Sequence, residues 1–243
     1  MSVQPQKPLR LCIIENGLVP DELRERFGSY PQMIERWIAP ALPEASFACV
    51  SPVSGEALPD PREYDGYLLS GSRHSSYENS EWMQDLVAFL QRLRDLRKPV
   101  FGICFGHQIM ADAFAGQTTK AEQGWGVGAE EYRYGSPQLN DAPVFIFHQD
   151  QVTRVPPQAH VLGGSPHCPN GVLAYDFPAL SVQYHPEFSA AYVQALLDRY
   201  GGRMIPADIS GEAQDSLATP VDSSPVARWA AELFRLGETP NSN

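Results

Sequence analysis

The sequence predicts an α/β fold: an open, mostly parallel sheet flanked by helices. Short apolar runs at 9–15, 47–50, 67–69 and 100–103 read as buried strands. Helical spacing fills 81–97 and 107–115, between and after the last of them. Strand and helix alternating in this way imply a parallel sheet covered on both faces.

The elements follow in order. Leu-Arg-Leu-Cys-Ile-Ile-Glu at 9–15 is the first strand, and 47–50 is the second. The third, at 67–69, stops at Ser70-Gly71-Ser72. Trp82, Leu86, Phe89, Leu90, Leu93 and Leu96 share one helical face, with charges opposite. Pro99 restricts Lys98 and ends that helix. After the strand at 100–103, Ile109, Met110, Ala113 and Phe114 line a second helix, with Gly116 suited to its C′ position. The middle of the chain changes character, with short strands at 126–132, 144–147, 161–164, 172–175 and 180–184 separated by turn signals. Residues 190–200 are helical again. Asp, Ser, Gly and Pro at 203–223 predict a loop, Ser224-Pro225 opens a last helix and Gly237 closes it. The final six residues are expected to fray. The expectation is one domain over 1–243, with a core at about 9–200 and a C-terminal loop and helix at 203–237.

Bulk properties exclude several classes. Of 243 residues, 43% are hydrophobic, enough for a sizeable core. The formal net charge of −11 argues against a nucleic-acid binder, which needs a basic stripe. No apolar run approaches the roughly 18 residues of a membrane span. The first residues lack the apolar segment of a secretion signal, so a cytoplasmic location is expected. Cys12, Cys49, Cys104 and Cys168 show no C-x-x-C spacing and read as free thiols. Cys12 and Cys49, inside apolar runs, are expected to be buried and inert. No metal site, phosphate loop or cofactor motif is present, and His167-Cys168 lacks ligand spacing.

Cys104 stands apart. It lies in Gly102-Ile103-Cys104-Phe105-Gly106-His107-Gln108, where a strand ends and a helix begins. A sharp strand-to-helix turn thrusts its side chain outward and needs small neighbours two residues away, as in the nucleophile elbow G-x-C-x-G. A helix N-terminus favours thiolate. The Phe105 amide, next in the chain, is positioned for an oxyanion. A nucleophilic thiol needs a base and an orienting group. In Tyr184-His185-Pro186-Glu187-Phe188, residues two apart point the same way if extended, so Glu187 reaches His185.

Together the cysteine elbow and His185-Pro186-Glu187, separated by 185 − 104 = 81 positions, resemble the class I glutamine amidotransferase family over about 9–200. The resemblance implies a flavodoxin-like open sheet and a Cys-His-Glu triad of Cys104, His185 and Glu187. It also implies an oxyanion loop at Ser70-Gly71-Ser72, with Gly71 donating beside Phe105, and contact of Gln108 with a bound γ-glutamyl group. His148 to Val152 is similar to a family loop over the pocket that carries a His and an Asp. The loop Ser70-Gly71-Ser72-Arg73-His74, with Gly124-Trp125-Gly126, departs from the Gly-Gly-Pro form and resembles the stand-alone branch that includes γ-glutamyl peptidases. Only 243 − 187 = 56 residues follow Glu187, so no acceptor domain is expected. The implied function is hydrolysis or transfer of the γ-glutamyl group of a small substrate through a thioester. The alternatives are a glutaminase subunit active only with a separate synthase, a non-catalytic binder, and a cysteine α/β-hydrolase using Asp150 or Asp176 as the acid. Oligomeric state is not encoded in these motifs.

Overall fold

The structure, a computed structural model, describes residues 8–135 and 139–237. Strands β1 (Leu9–Ile14), β2 (Ala45–Val50), β3 (Gly66–Leu69) and β4 (Val100–Ile103) alternate with helices α1 (Asp21–Phe27), α2 (Tyr30–Ile38) and α3 (Glu81–Asp95). Helix α4 (Phe105–Ala113) follows β4 directly. Then come β5 (Gln117–Lys120), β6 (Gly126–Tyr134), β7 (Ala142–His148), β8 (Asp150–Arg154), β9 (Ala159–Gly164), β10 (Val172–Tyr175) and β11 (Ala179–Val182). Helices α5 (Ala190–Tyr200), α6 (Ala207–Ser216) and α7 (Ser224–Leu236) complete the described chain.

Among the described residues the main sheet runs β2-β1-β3-β4-β11-β10-β9-β6-β7. Strands β2, β1, β3, β4 and β11 are parallel neighbours. Of the strands read from turn signals in the middle of the chain, the last is β11 of this parallel core, and β10, β9, β6 and β7 extend it as antiparallel neighbours. Side chains alternate across the sheet with the period of two that strands require. Leu11 and Ile13 face a cluster with Ile34 of α2 and Trp229, Leu233 and Phe234 of α7. Cys12 and Ile14 face the other cluster, with Leu86 and Leu90 of α3 and Ile109 and Met110 of α4.

Several expectations change. The loop expected at 203–223 contains α6, whose only buried residue among those described is Ala213. It is held from outside, by Ser216 Oγ accepting the Ala129 amide at 2.8 Å. Helix α4 ends with Ala115, not Gly116, in the left-handed region, at φ 68°. Gly116 is needed for closeness instead, since a Cβ there would lie 2.8 Å from the carbonyl oxygens of Ala111 and Arg154. Cys49 is exposed, because β2 lies at the sheet edge. The expected fraying of the last six residues lies outside the described residues. Among the described residues no helix is long and apolar enough to cross a membrane.

Three parallel strands end together. β3, β4 and β11 are neighbours in register, Leu69 beside Gly102 and Ile103 beside Val182. Their carboxyl ends deliver Gly71, Cys104 and His185 to one edge, where open α/β sheets place their chemistry. Helix α4 lies so close to β3 that a Cβ on Gly106 would stand 2.7 Å from both Cβ and O of Leu69. Alanine in place of a helical glycine normally stabilises by about 1 kcal/mol through propensity. Here the clash outweighs it. Gly106→Ala is expected to destabilise the fold by about 1–3 kcal/mol, read as a lower urea midpoint. A raised midpoint would show that α4 has room to move.

Candidate active site

Cys104 occupies the N-cap of α4 with φ 51° and ψ −100°, a conformation costly for a residue with a Cβ. Its amide donates to Val182 O at 2.8 Å, tying the turn to β11. A Cβ on Gly102 would lie 2.6 Å from Met110 Sδ and 2.8 Å from the Gly106 carbonyl. Both glycines of the elbow are therefore required by contact distance, as the spacing predicts. The Phe105 amide begins α4, where helical amides have no intrahelical acceptor.

His185 follows β11, and its amide donates to Phe145 O of β7 at 2.8 Å. Its Nδ1 lies 2.8 Å from Glu187 Oε1, and both side chains are almost wholly buried. A carboxylate only accepts, so Nδ1 carries the proton and Nε2 is left for the ring's other partner, the Cys104 side chain. Phe188 stacks on the imidazole with centroids 3.9 Å apart and planes 7° from parallel. The ring is thus held by a carboxylate on one edge and an aromatic face below. Burial by itself lowers the His185 pKa, but Glu187 and then Cys104 outweigh it and push it from 6.5 up to about 10.

Gly71 lies beside both His185 and Cys104. A Cβ there would lie 2.8 Å from His185 Cε1 and 3.7 Å from Cys104 Cβ, so only glycine leaves the thiol and imidazole accessible to each other. Its turn is clamped by Asn16 at the end of β1. The Asn16 amide donates to Ser70 Oγ at 2.9 Å, and Asn16 Nδ2 donates to Ser70 O at 3.0 Å. Nothing local in the sequence marks Asn16.

Gln108 is buried one turn into α4. Its Nε2 donates to Asp150 O at 2.9 Å and to Gln183 Oε1 at 3.2 Å. Gln183 Nε2 in turn lies 3.5 Å from Cys104 Sγ. The sequence reading missed Gln183, although it sits two residues before His185. His148 and Asp150 do not form a loop; they end β7 and begin β8. The Asp150 carboxylate accepts from Ser75 Oγ at 2.5 Å and from Tyr77 OH at 3.0 Å. Asp176 is exposed just past β10, which runs antiparallel to β11, so it lies at the opposite end of the sheet. Of the three candidate acids, Glu187 is the one on the imidazole. His107, also buried, is held by Ser181 Oγ at 2.8 Å, and burial pushes its pKa down to about 3. Among the described residues no group of three or more His, Cys, Asp and Glu is arranged to hold a metal ion.

Desolvation acts on the other three thiols as well. Burial pushes Cys12 and Cys168 up to about 12. Cys49 is exposed, yet partial desolvation with Glu15 and Glu56 nearby holds it up at about 11.

The raised His185 pKa carries a stability signature. A base whose pKa is higher in the folded state stabilises the fold fully below its unfolded value and loses that stability as pH rises through the folded one. The His185 contribution is therefore present near pH 6.5 and gone near pH 10. Glu187→Gln removes the main cause. Its melting temperature is expected to lie below wild type near neutral pH, with the gap closing toward pH 10. A gap that stays constant or widens would place the charge elsewhere.

The family model for "Glutamine amidotransferase class-I" matches residues 46–198, which include all of these groups except Asn16, Cys12 and Glu15. Gamma-glutamyl peptidase 5 of Arabidopsis thaliana is 29% identical over 161 residues, 60% of this chain and 64% of that protein. The match thus spans less than two thirds of that relative. A GMP synthase [glutamine-hydrolyzing] of Neisseria meningitidis is 31% identical over 151 residues, 56% of this chain but only 27% of that protein. The crystal structure of a glutamine amido transferase from Methylobacillus flagellatus shares the fold, with a TM-score of 0.72 at 20% identity over 98% of both chains. With a parallel core, a cysteine elbow at its carboxyl edge and a family match over more than half its length, this chain belongs to the class I glutamine amidotransferase family.

Proposed function

We propose that the chain is a cysteine-dependent amidase that cleaves γ-glutamyl amides through a γ-glutamyl thioester, with Cys104 as nucleophile, His185 as base and then acid, and Glu187 as the orienting carboxylate. The observation that carries this reading is the buried His185–Glu187 contact at 2.8 Å, set beside a thiol on a strained elbow. Cys104 Sγ, its proton already passed to His185, attacks the γ-carbonyl as the thiolate. The amides of Gly71 and Phe105 face the developing oxyanion. His185 then protonates the leaving nitrogen, the C–N bond breaks, and the thioester remains. Water, activated by the same imidazole, releases glutamate; a small amine would yield a new amide instead. Gln108 and Gln183 act here as a buried amide pair that fixes the pocket wall beside the sulfur. No cofactor or metal enters these steps. The substrate is a small molecule, and neither nucleic acid nor membrane has a part in the reaction.

We take the chain as one domain in which the C-terminal helix completes the core, since Trp229, Leu233 and Phe234 pack in the same cluster as β1 and β4. On that reading a separate synthase is not needed for hydrolysis. The relation to a γ-glutamyl peptidase supports a substrate that is a γ-glutamyl peptide or conjugate as well as glutamine. A cytoplasmic site of action remains part of the proposal.

The test is glutamate release by the purified chain from glutamine and from γ-glutamyl dipeptides. Cys104→Ala and His185→Ala are each expected to lower turnover by a factor on the order of 10⁴ or more, because nucleophile and base act as a unit. Glu187→Gln should fold and lose less, since it only orients the ring. Blocking the substrate α-amino group should abolish most activity, because buried polar partners are left unpaired. Wild-type turnover in Glu187→Gln beside a disabled Asp150→Asn would favour the hydrolase mechanism instead. Glutamate release that appears only after a second protein is added would favour a docked glutaminase subunit.

A further inference from the structure

Gln183 is wholly buried just past β11, where its backbone N–H donates to Gly171 O at 2.8 Å. Out of reach of solvent, its side-chain amide meets one partner at each end. Oε1 accepts from Gln108 Nε2 at 3.2 Å, and Nε2 lies 3.5 Å from Cys104 Sγ.

The direction of that amide is forced. A backbone carbonyl only accepts, so Asp150 O, 2.9 Å from Gln108 Nε2, must face the NH2 group of Gln108. The second hydrogen of that group points at Gln183, which must answer with its oxygen. The nitrogen of Gln183 is left turned toward the sulfur. Reversing Gln108 would set two acceptors face to face, and reversing Gln183 alone would set two donors face to face.

A thiol is a weak acceptor, so a neutral Cys104 would leave this buried N–H nearly unmet. A thiolate makes the same contact a charge-assisted hydrogen bond, roughly twice as strong as a neutral one. Sulfur then has two donors, the His185 imidazole and the Gln183 amide. Among the described residues the titratable groups facing the sulfur are His185 with Glu187 behind it, Tyr30 of α2, and Cys168. Burial pushes the Tyr30 phenol well above its ordinary value and the Cys168 thiol up to about 12, so neither is charged near neutral pH.

We infer that Gln183 is a further catalytic residue, whose Nε2 donates to the Cys104 thiolate, and that Gln108 is the positioning residue that fixes the Gln183 amide. This role rests on the proposed function, which makes Cys104 the nucleophile, and adds a group to it. Gln183 gives up no proton. As the S–C bond forms, the carbonyl π pair moves to oxygen and the sulfur loses its charge. The donor acts before that step, by enlarging the thiolate population at a given pH. Nucleophilicity falls as the thiolate is stabilised, but only by about half as much on a logarithmic scale, so the net effect is a faster attack.

The experiment measures alkylation of Cys104 by iodoacetamide in the purified chain, across about pH 5 to 9, with the adduct quantified by peptide mass mapping. His185, pushed up to about 10, keeps its proton through that range. Gln183→Met removes the donor at similar volume. It should move the rise of the rate toward higher pH by about one unit, and above the rise the variant should match or exceed wild type. Gln183→Glu still accepts from Gln108 but sets a second negative charge beside the sulfur, and should move the rise further. A folded Gln183→Met whose rise is unmoved, or whose rate is lower by one factor at every pH, overturns the role. Wild type gives a second reading should neither variant fold. Converting the thiolate to a thioether should move the NMR signals of the Gln183 side-chain NH2 group, and unchanged signals overturn the role. Alkylation needs no γ-glutamyl substrate. If no such compound is cleaved, the proposed function falls, while the alkylation curve still decides what Gln183 does.

Discussion

The contact between α4 and the end of β3 governs the rest of the structure. Gly106 lies against Leu69, and Gly102 lies against Gly106 and Met110, at distances that leave no room for a Cβ. A helix starting so close to the strand that feeds it has to turn within a single residue. Cys104 is that residue, and its φ of 51° is the result. Strain of this kind costs on the order of 1–3 kcal/mol and persists only where the surroundings over-determine it. The amide bond to Val182 and the helical bond from Gln108 to Cys104 O do so here. The thiol is consequently fixed in direction before any substrate arrives.

Everything else at the site is placed relative to that turn by neighbouring strands. β3 ends in the clamped Gly71 turn on one side of Cys104, and β11 leads to Gln183 and His185 on the other. Because the strands are parallel and in register, loops far apart in sequence converge without long excursions. Burial then sets the chemistry. A histidine taken out of water would ordinarily lose its proton, and His107 follows that rule. His185 reverses it because Glu187, equally buried, has no solvent to screen it from the ring. On the proposed mechanism, thioester formation removes the Cys104 charge, one of the two that hold this proton, and so frees it for the leaving nitrogen.

Much of this is legible in the sequence wherever the signal is local. The strand at 100–103 and the helix at 190–200 match β4 and α5 because apolar spacing and the bounding turn residues agree. The elbow is legible because its steric demand is written within five residues. Helix α2 carries its signal in polar residues instead: Ser29 and Gln32 form a reciprocal capping box with Pro31 just inside, which apolar spacing does not reveal. Strands β5 and β8 are polar, reading QTTK and DQVTR, and pair mainly with each other, so no apolar run announces them. Helix α6 is rich in Ser, Asp and Gly and is stabilised by β6, which no local window contains. The exposure of Cys49 follows from sheet order, again a non-local property. Within the site, Asn16 and Gln183 escaped for the same reason, since their importance lies in partners 54 and 79 residues away.

The central claim is that one thiol of four is made the nucleophile by its turn and by the buried His185–Glu187 pair. Acid-quenched turnover of an isotopically labelled γ-glutamyl dipeptide, followed by peptide mass mapping, tests it directly. The account predicts a γ-glutamyl group on Cys104 in wild type, absent in His185→Ala. Label on Cys12, Cys49 or Cys168, or glutamate release with Cys104 never acylated, would contradict it.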